Sequence, residues 1–550
     1  MQYKLPVMNL VLIGLVFLFP VNARAASMSG YLGGGQYDTS QAMTVDKDGN
    51  IYMTGWTFTD DLGVTTDALQ PDHSGFADAF VARFSPDGTT LEYLTYFGGS
   101  GNDNAYDIAV DGDGNVYIAG TTTSDDLMTV DPVQSSLNGD SDAFVAKINA
   151  SGVLVFSSYF GGSGNDTATA LHVDDAGRIY FAGNTTSTDM LTVANPFDSS
   201  CGSDGLCDAA DPLDIATRQV DGYVGALTRD TQGFYVPEYA SYIGGNGFDY
   251  IHDIAVDSAG VIYMTGETNA GDFPYKNAFQ STIADGIAGA YDAFMIAVDP
   301  QVTVDNGLVY SSYIGGDGND AGNAIAVASD GIVYVAGDSS SSNFPVTNAA
   351  MQADYGGGDA DVFVAQFDIT QTSTASLKYA SYLGGSNEDL SADLVVDPAG
   401  DIYIAGMTDS LDLSLNGTVQ FPYDSDIDGF VVKISGQAKS IVYSSYFGSY
   451  DIDLVFGMSV NSQGDIYLTG ETESDDLATA GAWQPDYAGN TDALLALLDP
   501  AQAANKSDPG GSGGGGDSGG GGAMGHWLMA LLLAVFLRRF RYRSRWVYSL

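Results

Sequence analysis

One stretch of sequence is written seven times along this chain, and that repetition constrains the fold more than any other feature. The clearest copy runs from Tyr96 to Lys147. It opens YFGGSGNDNAYDIAVDGDGNVYIAG and, after a variable stretch, closes with DAFVAK. Further copies open at Tyr31, Tyr159, Tyr242, Tyr313, Tyr382 and Tyr446, a mean period of about 69 residues. Units repeated at a fixed period bury their apolar faces on one another, so the period has to be read before any single residue.

Within the second copy, AYDIAVD alternates as a strand does, Gly112-Asp113-Gly114-Asn115 is a turn, and VYIAGTT is a second strand closing a hairpin. DAFVAKI is a third strand. Ser151-Gly152 turns the chain and VLVFSSYF is a fourth. Four short antiparallel strands make one propeller blade. The expected fold class is all-β: a seven-bladed β-propeller of four-stranded antiparallel blades over residues 26–505. The ends say how it closes. The first copy begins with a lone fourth strand, and the last ends at DALLALLDP after its third. The segment Met28–Leu32 is therefore expected to complete the blade of residues 454–499, which removes exposed sheet edges. The signatures Y-x-GG-x-G-x-D, I-A-V-D-x-x-G-x-Y-x-A-G and D-A-F-V recur over residues 31–499. In them the chain resembles the SBBP-type β-propeller repeat of exported bacterial proteins. The resemblance implies a surface or secreted location and no settled catalytic activity.

Both ends read as addresses. Lys4, the apolar run Leu10 to Phe19 and Ala23-Arg24-Ala25 form a signal-peptide pattern over residues 1–25. Residues 506–522 are a Gly/Ser-rich linker, residues 523–537 a short apolar segment, and residues 538–550 a basic tail. Fifteen helical residues rise about 22 Å, short of the ~30 Å hydrocarbon core, so Trp527 and the arginines are expected at the interfaces. The order is a glycine run (Gly519, Gly520, Gly521, Gly522), an apolar helix, then Arg538, Arg539 and Arg541. It resembles the GlyGly-CTERM sorting signal. That resemblance implies a rhomboid-like sorting protease (a rhombosortase) as partner, a transient inner-membrane anchor, and delivery to the cell surface or medium.

Residues 26–505 hold 68 of the 70 acidic residues and only 10 of the 18 basic ones. Such a field repels phosphate backbones, so nucleic acid is not an expected partner. Cys201 and Cys207, the only cysteines, are expected to form a local disulfide in an exported chain.

Recurrence sorts architecture from function. One Asp stands in every copy: Asp38, Asp103, Asp166, Asp249, Asp320, Asp389 and Asp453. A carboxylate there can hold the loop into the inner strand; the sharper reading is a ring of cation ligands, with Ca²⁺ possible and no cofactor required. Tyr52 and its equivalents are expected between blades with partnered hydroxyls. Gly55, Gly120 and their equivalents are expected where backbones come close. D-x-D-G-N at Asp46–Asn50 lacks the later Glu of a calcium loop and reads as a hairpin turn. The third copy departs from the rest. Its long loop carries both cysteines with Asp204 and Asp208, a second candidate cation-dependent contact. His172 and His252 read as packed residues of inner strands, and no G-x-S-x-G or H-E-x-x-H motif occurs. The expected function is a non-catalytic binding module that engages a surface protein, glycan or matrix ligand through its variable loop face, with Phe273-Pro274, Phe344-Pro345 and Phe421-Pro422 among the contacts. A monomeric propeller is expected. The alternative is an extracellular polysaccharide lyase, hydrolase or lactonase, with scattered loop residues at the channel mouth.

Overall fold

The computed structural model describes residues 28–500 except 194–195, 203–218, 285–288, 303–306, 415–426 and 437–438. Seven four-stranded antiparallel sheets stand around one axis. Blade 2 is typical, with β6 (Asp103–Val110), β7 (Val116–Thr122), β8 (Asp142–Ile148) and β9 (Leu154–Phe160) hydrogen-bonded in that order. The first strands of the seven blades are β2 (Asp38–Val45), β6, β10 (Asp166–Val173), β14 (Asp249–Val256), β18 (Asp320–Val327), β22 (Asp389–Val396) and β26 (Asp453–Val460). Each touches the first strand of the next blade, and β26 returns to β2. These strands therefore line a central channel, and the ring is closed.

Closure falls where the ends of the repeat placed it. β1 (Ser29–Leu32) pairs antiparallel with β28 (Asp492–Leu498), so that Tyr31 lies opposite Leu494. Sheet order in that blade is β1-β28-β27-β26, with β27 at Ile466–Thr472.

Every inner strand starts on its recurrent Asp, two residues earlier than the alternation of AYDIAVD suggests, and every one carries a β-bulge near its third residue. The bulge explains the glycine of the second strand. A Cβ on Gly120 would sit 1.9 Å from the Asn104 carbonyl oxygen, and the equivalent glycines of the other blades meet the same contact at 1.8–2.0 Å. Apolar residues of adjacent sheets fill the seams. Phe97 of blade 1 packs on Phe144 of blade 2 with ring centroids 5.5 Å apart, for example.

The tyrosine that opens each copy lies in a fourth strand and ties down the long loop of its own blade. Tyr96 Oη donates to Thr59 O (3.0 Å) and accepts from Leu62 N–H (3.0 Å). Tyr159 does the same with Ser124 O and Leu127 N–H. Five of the second-strand tyrosines, Tyr52, Tyr117, Tyr180, Tyr263 and Tyr403, donate to the hairpin carboxylate, as Tyr117 Oη does to Asp111 Oδ2 at 2.8 Å. D-x-D-G-N is a hairpin turn, in which Asp46 Oδ1 accepts from the N–H groups of Asp48 and Asn50, each at 2.9 Å.

Among the described residues no helix is long and apolar enough to cross a membrane. The segments read as signal, linker, apolar helix and basic tail lie outside the described residues. So do Cys207, Asp204, Asp208 and Phe421-Pro422. Cys201 is described, buried and disulfide-bonded.

Candidate functional site

Strand direction sorts the connections onto two faces. The crossings between blades and the long loops share the loop face; the hairpin turns and the third-to-fourth turns share the turn face. The seven recurrent aspartates stand at the loop-face ends of the inner strands. Each is fully buried and spends its oxygens on its own crossing. Asp103 Oδ2 accepts from Gly99 N–H (2.7 Å) and Ser124 Oγ–H (2.7 Å), and Oδ1 accepts from the Thr122 hydroxyl. The backbone donor and the Thr or Ser hydroxyl of the second strand recur at Asp38, Asp166, Asp249, Asp320, Asp389 and Asp453. The Ser124-type hydroxyl recurs at Asp166, Asp320, Asp389 and Asp453. A cation at this ring would have to displace those donors. Among the described residues no group of three or more His, Cys, Asp or Glu side chains is placed to hold a metal ion.

Beside each of these stands a second carboxylate, the Asp of D-A-F-V that opens the third strand. It is Asp78, Asp142, Asp221, Asp292, Asp361, Asp428 or Asp492, all buried. Asp142 Oδ2 accepts from Gln134 Nε2 (2.6 Å) and Asn138 N–H (3.0 Å). The Oδ1 atoms of Asp78, Asp142, Asp221, Asp292 and Asp361 are buried and accept no hydrogen bond. They crowd the first glycine of GG-x-G: a Cβ on Gly98 would lie 2.5 Å from Asp78 Oδ1 and 2.8 Å from Asp103 Oδ2. Burial, with the paired carboxylate as a lesser cause, pushes Asp78, Asp142 and Asp292 up to about 7 and Asp221 to about 8.

This arrangement has a testable sign. The folded seams hold protons that the unfolded chain has already released, so these groups favour folding most below pH ~4 and lose that contribution as pH rises through about 7. Thermal unfolding is expected to shift to lower temperature between about pH 5 and pH 8.5. Asp142→Asn, neutral and of equal shape, is expected to be more stable than the wild type at pH 8.5 by at least about 1 kcal/mol, read as a higher unfolding temperature. A melting temperature that stays level across that range would reject the raised carboxyls.

The channel carries an alternation that sequence reading missed. Asp107, Asp253 and Asp393 occupy one position of β6, β14 and β22, in blades 2, 4 and 6. Each reaches into the next blade: Asp107 Oδ2 accepts from Leu171 N–H (2.6 Å), Asp253 Oδ2 from Ile325 N–H (2.7 Å) and Asp393 Oδ2 from Met458 N–H (2.6 Å). The other blades have Ala42, Ala170, Ala324 and Gly457 there. Seven is odd, so one seam brings two small residues together, with a Gly457 Cβ only 3.1 Å from Ala42 Cα. Burial raises all three carboxyls, and mutual repulsion adds at Asp107 and Asp253. The signal was present as an Asp directly before the Ile or Leu of alternate copies. His252 lies on β14 at the residue before Asp253, half-buried, with Nδ1 3.2 Å from Gly322 O and outside the apolar clusters. His172 is also half-buried. Both lie on inner strands as the sequence suggests, His172 with its ring 6.1 Å from Tyr180, and burial holds both imidazoles below their usual range.

Charge divides the two faces. The described basic side chains Arg83, Lys147, Arg229, Lys433, Lys378, Lys439, Arg178 and Lys47 all stand at turn-face strand ends or hairpins. Lys276 Nζ donates to Leu308 O, at the turn-face end of its blade. The loop face carries aromatics instead. Phe58 packs edge-on against Phe76 (5.1 Å) and Tyr37 (5.8 Å), and Phe76 is 68% exposed. Trp56 meets Tyr106 across the first seam (5.6 Å). Phe248 stacks on Tyr250 at 6.3 Å, and Tyr250 lies 6.4 Å from Tyr291. Two of the Phe-Pro pairs expected at the surface do not present their rings there. Phe273 and Phe344 are buried, on Phe294 (4.6 Å) and Phe363 (4.4 Å) respectively, because each anchors its loop into the blade seam.

The fold and its seams define a closed seven-bladed propeller whose copies share architecture and differ at the loop-face mouth. Three stretches, residues 29–63, 92–127 and 238–274, match the family model described as SBBP, beta-propeller repeat. The chain carries repeats of that kind. It is also similar to the regulatory protein FlaEY of Caulobacter vibrioides, 25% identical over 349 residues. That alignment covers 62% of this chain and 34% of FlaEY, so the chain spans about a third of its relative. Solved structures with a related shape include a gluconolactonase from Xanthomonas campestris, at 10% identity and a TM-score of 0.32, covering 86% of this chain and 92% of that one. The quinohemoprotein alcohol dehydrogenase of Comamonas testosteroni follows at 9% and 0.36, covering 90% and 79%. At such distances none of their activities transfers to this chain.

Proposed function

We propose that this chain is an exported β-propeller, displayed at the cell surface or released, that acts as a non-catalytic binding module through its loop face. One observation carries the reading. The repeated residues are spent on seams and turns, while the loop-face mouth differs from blade to blade and exposes aromatic side chains among carboxylates. Large exposed aromatics at a rim of unpaired polarity are typical of recognition surfaces. The signal-like residues 1–25 and the glycine–apolar–arginine tail support export and sorting.

A screen of the protein against glycan arrays and intact cell surfaces, with and without Ca²⁺, tests this. Capture is expected to weaken on Phe76→Ser, which alters an exposed loop-face ring, and to survive Val153→Ser on the turn face. Equal loss from both variants would sink the loop-face assignment. Loss of capture on chelation would bring the carboxylate ring and the Asp204 and Asp208 loop into the site. The enzyme alternative has one observation in its favour, the recessed carboxyls of Glu267 and Asp338 at the mouth, and it requires turnover that disappears in Glu267→Gln.

A further inference from the structure

The second strand of each blade ends Gly-x-Thr or Gly-x-Ser, and the middle residue faces the mouth of the channel. It is acidic in three blades: Glu267 on β15 (Ile262–Thr268), Asp338 on β19 (Ile332–Ser339) and Glu471 on β27. Two of the three are satisfied within the protein. Asp338 accepts from Asn323 Nδ2 (2.6 Å) and Ser391 N–H (2.7 Å), and Glu471 accepts from the Tyr37 hydroxyl. Glu267 accepts no hydrogen bond from any described residue, although it is half-buried. It lies opposite Tyr250 in the β14–β15 ladder, and Tyr291 opens the adjacent strand edge. Burial first, and then the Glu267 charge, raises the Tyr250 hydroxyl; burial, Tyr250 and then Glu267 raise that of Tyr291, whose ring lies 6.4 Å from Tyr250. The Glu267 pocket is thus a carboxylate without a described hydrogen-bond donor, opposite Tyr250 of the aromatic row Phe248–Tyr250–Tyr291, near the charge of Asp338 and with no described Lys or Arg on that face.

The chain itself shows what this set of groups accepts. On the turn face Lys147 Nζ lies 4.5 Å from the Tyr117 ring centroid and 3.3 Å from Asp111 Oδ2. Lys433 Nζ lies 4.7 Å from the Tyr403 ring and 3.0 Å from Asp401 Oδ2. A tyrosine and a carboxylate together hold an ammonium group there, each lysine also donating a hydrogen bond to the tyrosine hydroxyl. At Glu267 the acceptors are present and the cation is not supplied by the chain. Ring faces and a desolvated carboxylate attract a cation far more than a neutral group of the same shape.

We propose that the Glu267 pocket takes an alkylammonium group, carried by a small amine or by a lysine side chain of a protein partner. This deepens the loop-face binding reading and rests on it. The carboxyl is pushed up to about 7, by burial first and by Asp338 second, and an ammonium ligand requires its ionised form. Binding is therefore expected to release a proton and to tighten as pH rises through about 7.

Calorimetric titration of the full-length chain tests the site with four probes: hexylammonium, hexan-1-ol, a lysine-containing peptide and the same peptide with Nε-acetyl-lysine. Both cations are expected to bind and both neutral probes to fail. Glu267→Gln is expected to weaken the cations about tenfold or more, while Glu92→Gln on the turn face leaves them unchanged. A peptide that binds more tightly than hexylammonium assigns a protein partner; the reverse order assigns a small amine. Binding of hexan-1-ol as strong as that of hexylammonium, or equal affinity in Glu267→Gln, as diffuse counterion binding would give, overturns the proposal. Should the variant fail to fold, the wild type decides: an affinity for hexylammonium that is flat between about pH 6 and pH 8.5 overturns it as well. Retained capture of cell surfaces with no amine binding removes this site alone; loss of both removes the loop-face reading with it.

Discussion

Gly120→Ala is expected to destabilise the propeller by about 4 kcal/mol or more, the range reserved for substitutions that force backbone apart in a packed core. The added Cβ would stand 1.9 Å from the Asn104 carbonyl oxygen, 2.8 Å from its carbon and 2.9 Å from Ala105 Cα. All three are backbone atoms, so no rotamer change relieves them. They are close because the bulge between Ala105 and Asp107 pushes the inner strand onto the second. The glycine is needed for space and not for its dihedral freedom. Gly112 in the adjacent hairpin turn is the internal comparison: a Cβ there meets nothing within 4 Å, and Gly112→Ala is expected to cost under about 1 kcal/mol. Urea and thermal unfolding of the two variants side by side check this. Equal stability in both would mean that the seam can open at no cost and that the close approach is unimportant.

Removing Ser29–Leu32 is the second large effect. Those four residues pair with Ala493–Ala496 and cover the edge of β28, whose sequence DALLALL is the most apolar third strand in the chain. Tyr31 is buried, and its hydroxyl donates to Ser474 O (2.9 Å) and accepts from Leu477 N–H (3.0 Å), more than 440 residues away in sequence. Without β1 that hydrogen-bonding edge is open and hydrophobic, a template for pairing between chains. The truncated protein is expected to self-associate on size exclusion and to unfold at a markedly lower temperature. Moving the same strand to follow residue 500 through a short linker is expected to restore a monomer, because closure depends on the strand's place in the sheet and not on its place in the chain. Failure of that permutant to recover would show that the N-terminal segment contributes something beyond closure.

The repeat period, the four strands of each copy, the seam tyrosine, the close-packed glycine and the closing strand were all legible in the sequence. Each is a local pattern that recurs, and recurrence turns one chain into seven observations of the same physical demand. The recurrent Asp was legible as a loop-holding carboxylate, and its donors are the ones such a residue seeks. The candidate site was legible only as a face. Glu267, Tyr250 and Tyr291 sit in different stretches of the fourth copy, and nothing local marks them as neighbours. Phe273 and Phe344 show the reverse error: a Phe-Pro in a variable loop looks exposed until the loop is seen to fold its ring into a seam.

By itself, then, the sequence determined a closed all-β ring of seven four-stranded blades and the end of the chain that seals it, because backbone pairing and apolar burial are periodic and read out along the chain. Only the tertiary structure decided which carboxylates are spent and which are free to act. Whether an acid is satisfied depends on donors brought from other blades, as Leu171 N–H serves Asp107 and the Tyr37 hydroxyl serves Glu471, while none among the described residues reaches Glu267. The same ring geometry gathered the described lysines and arginines on the turn face and left the loop-face mouth aromatic and acidic, a division that no window of sequence contains.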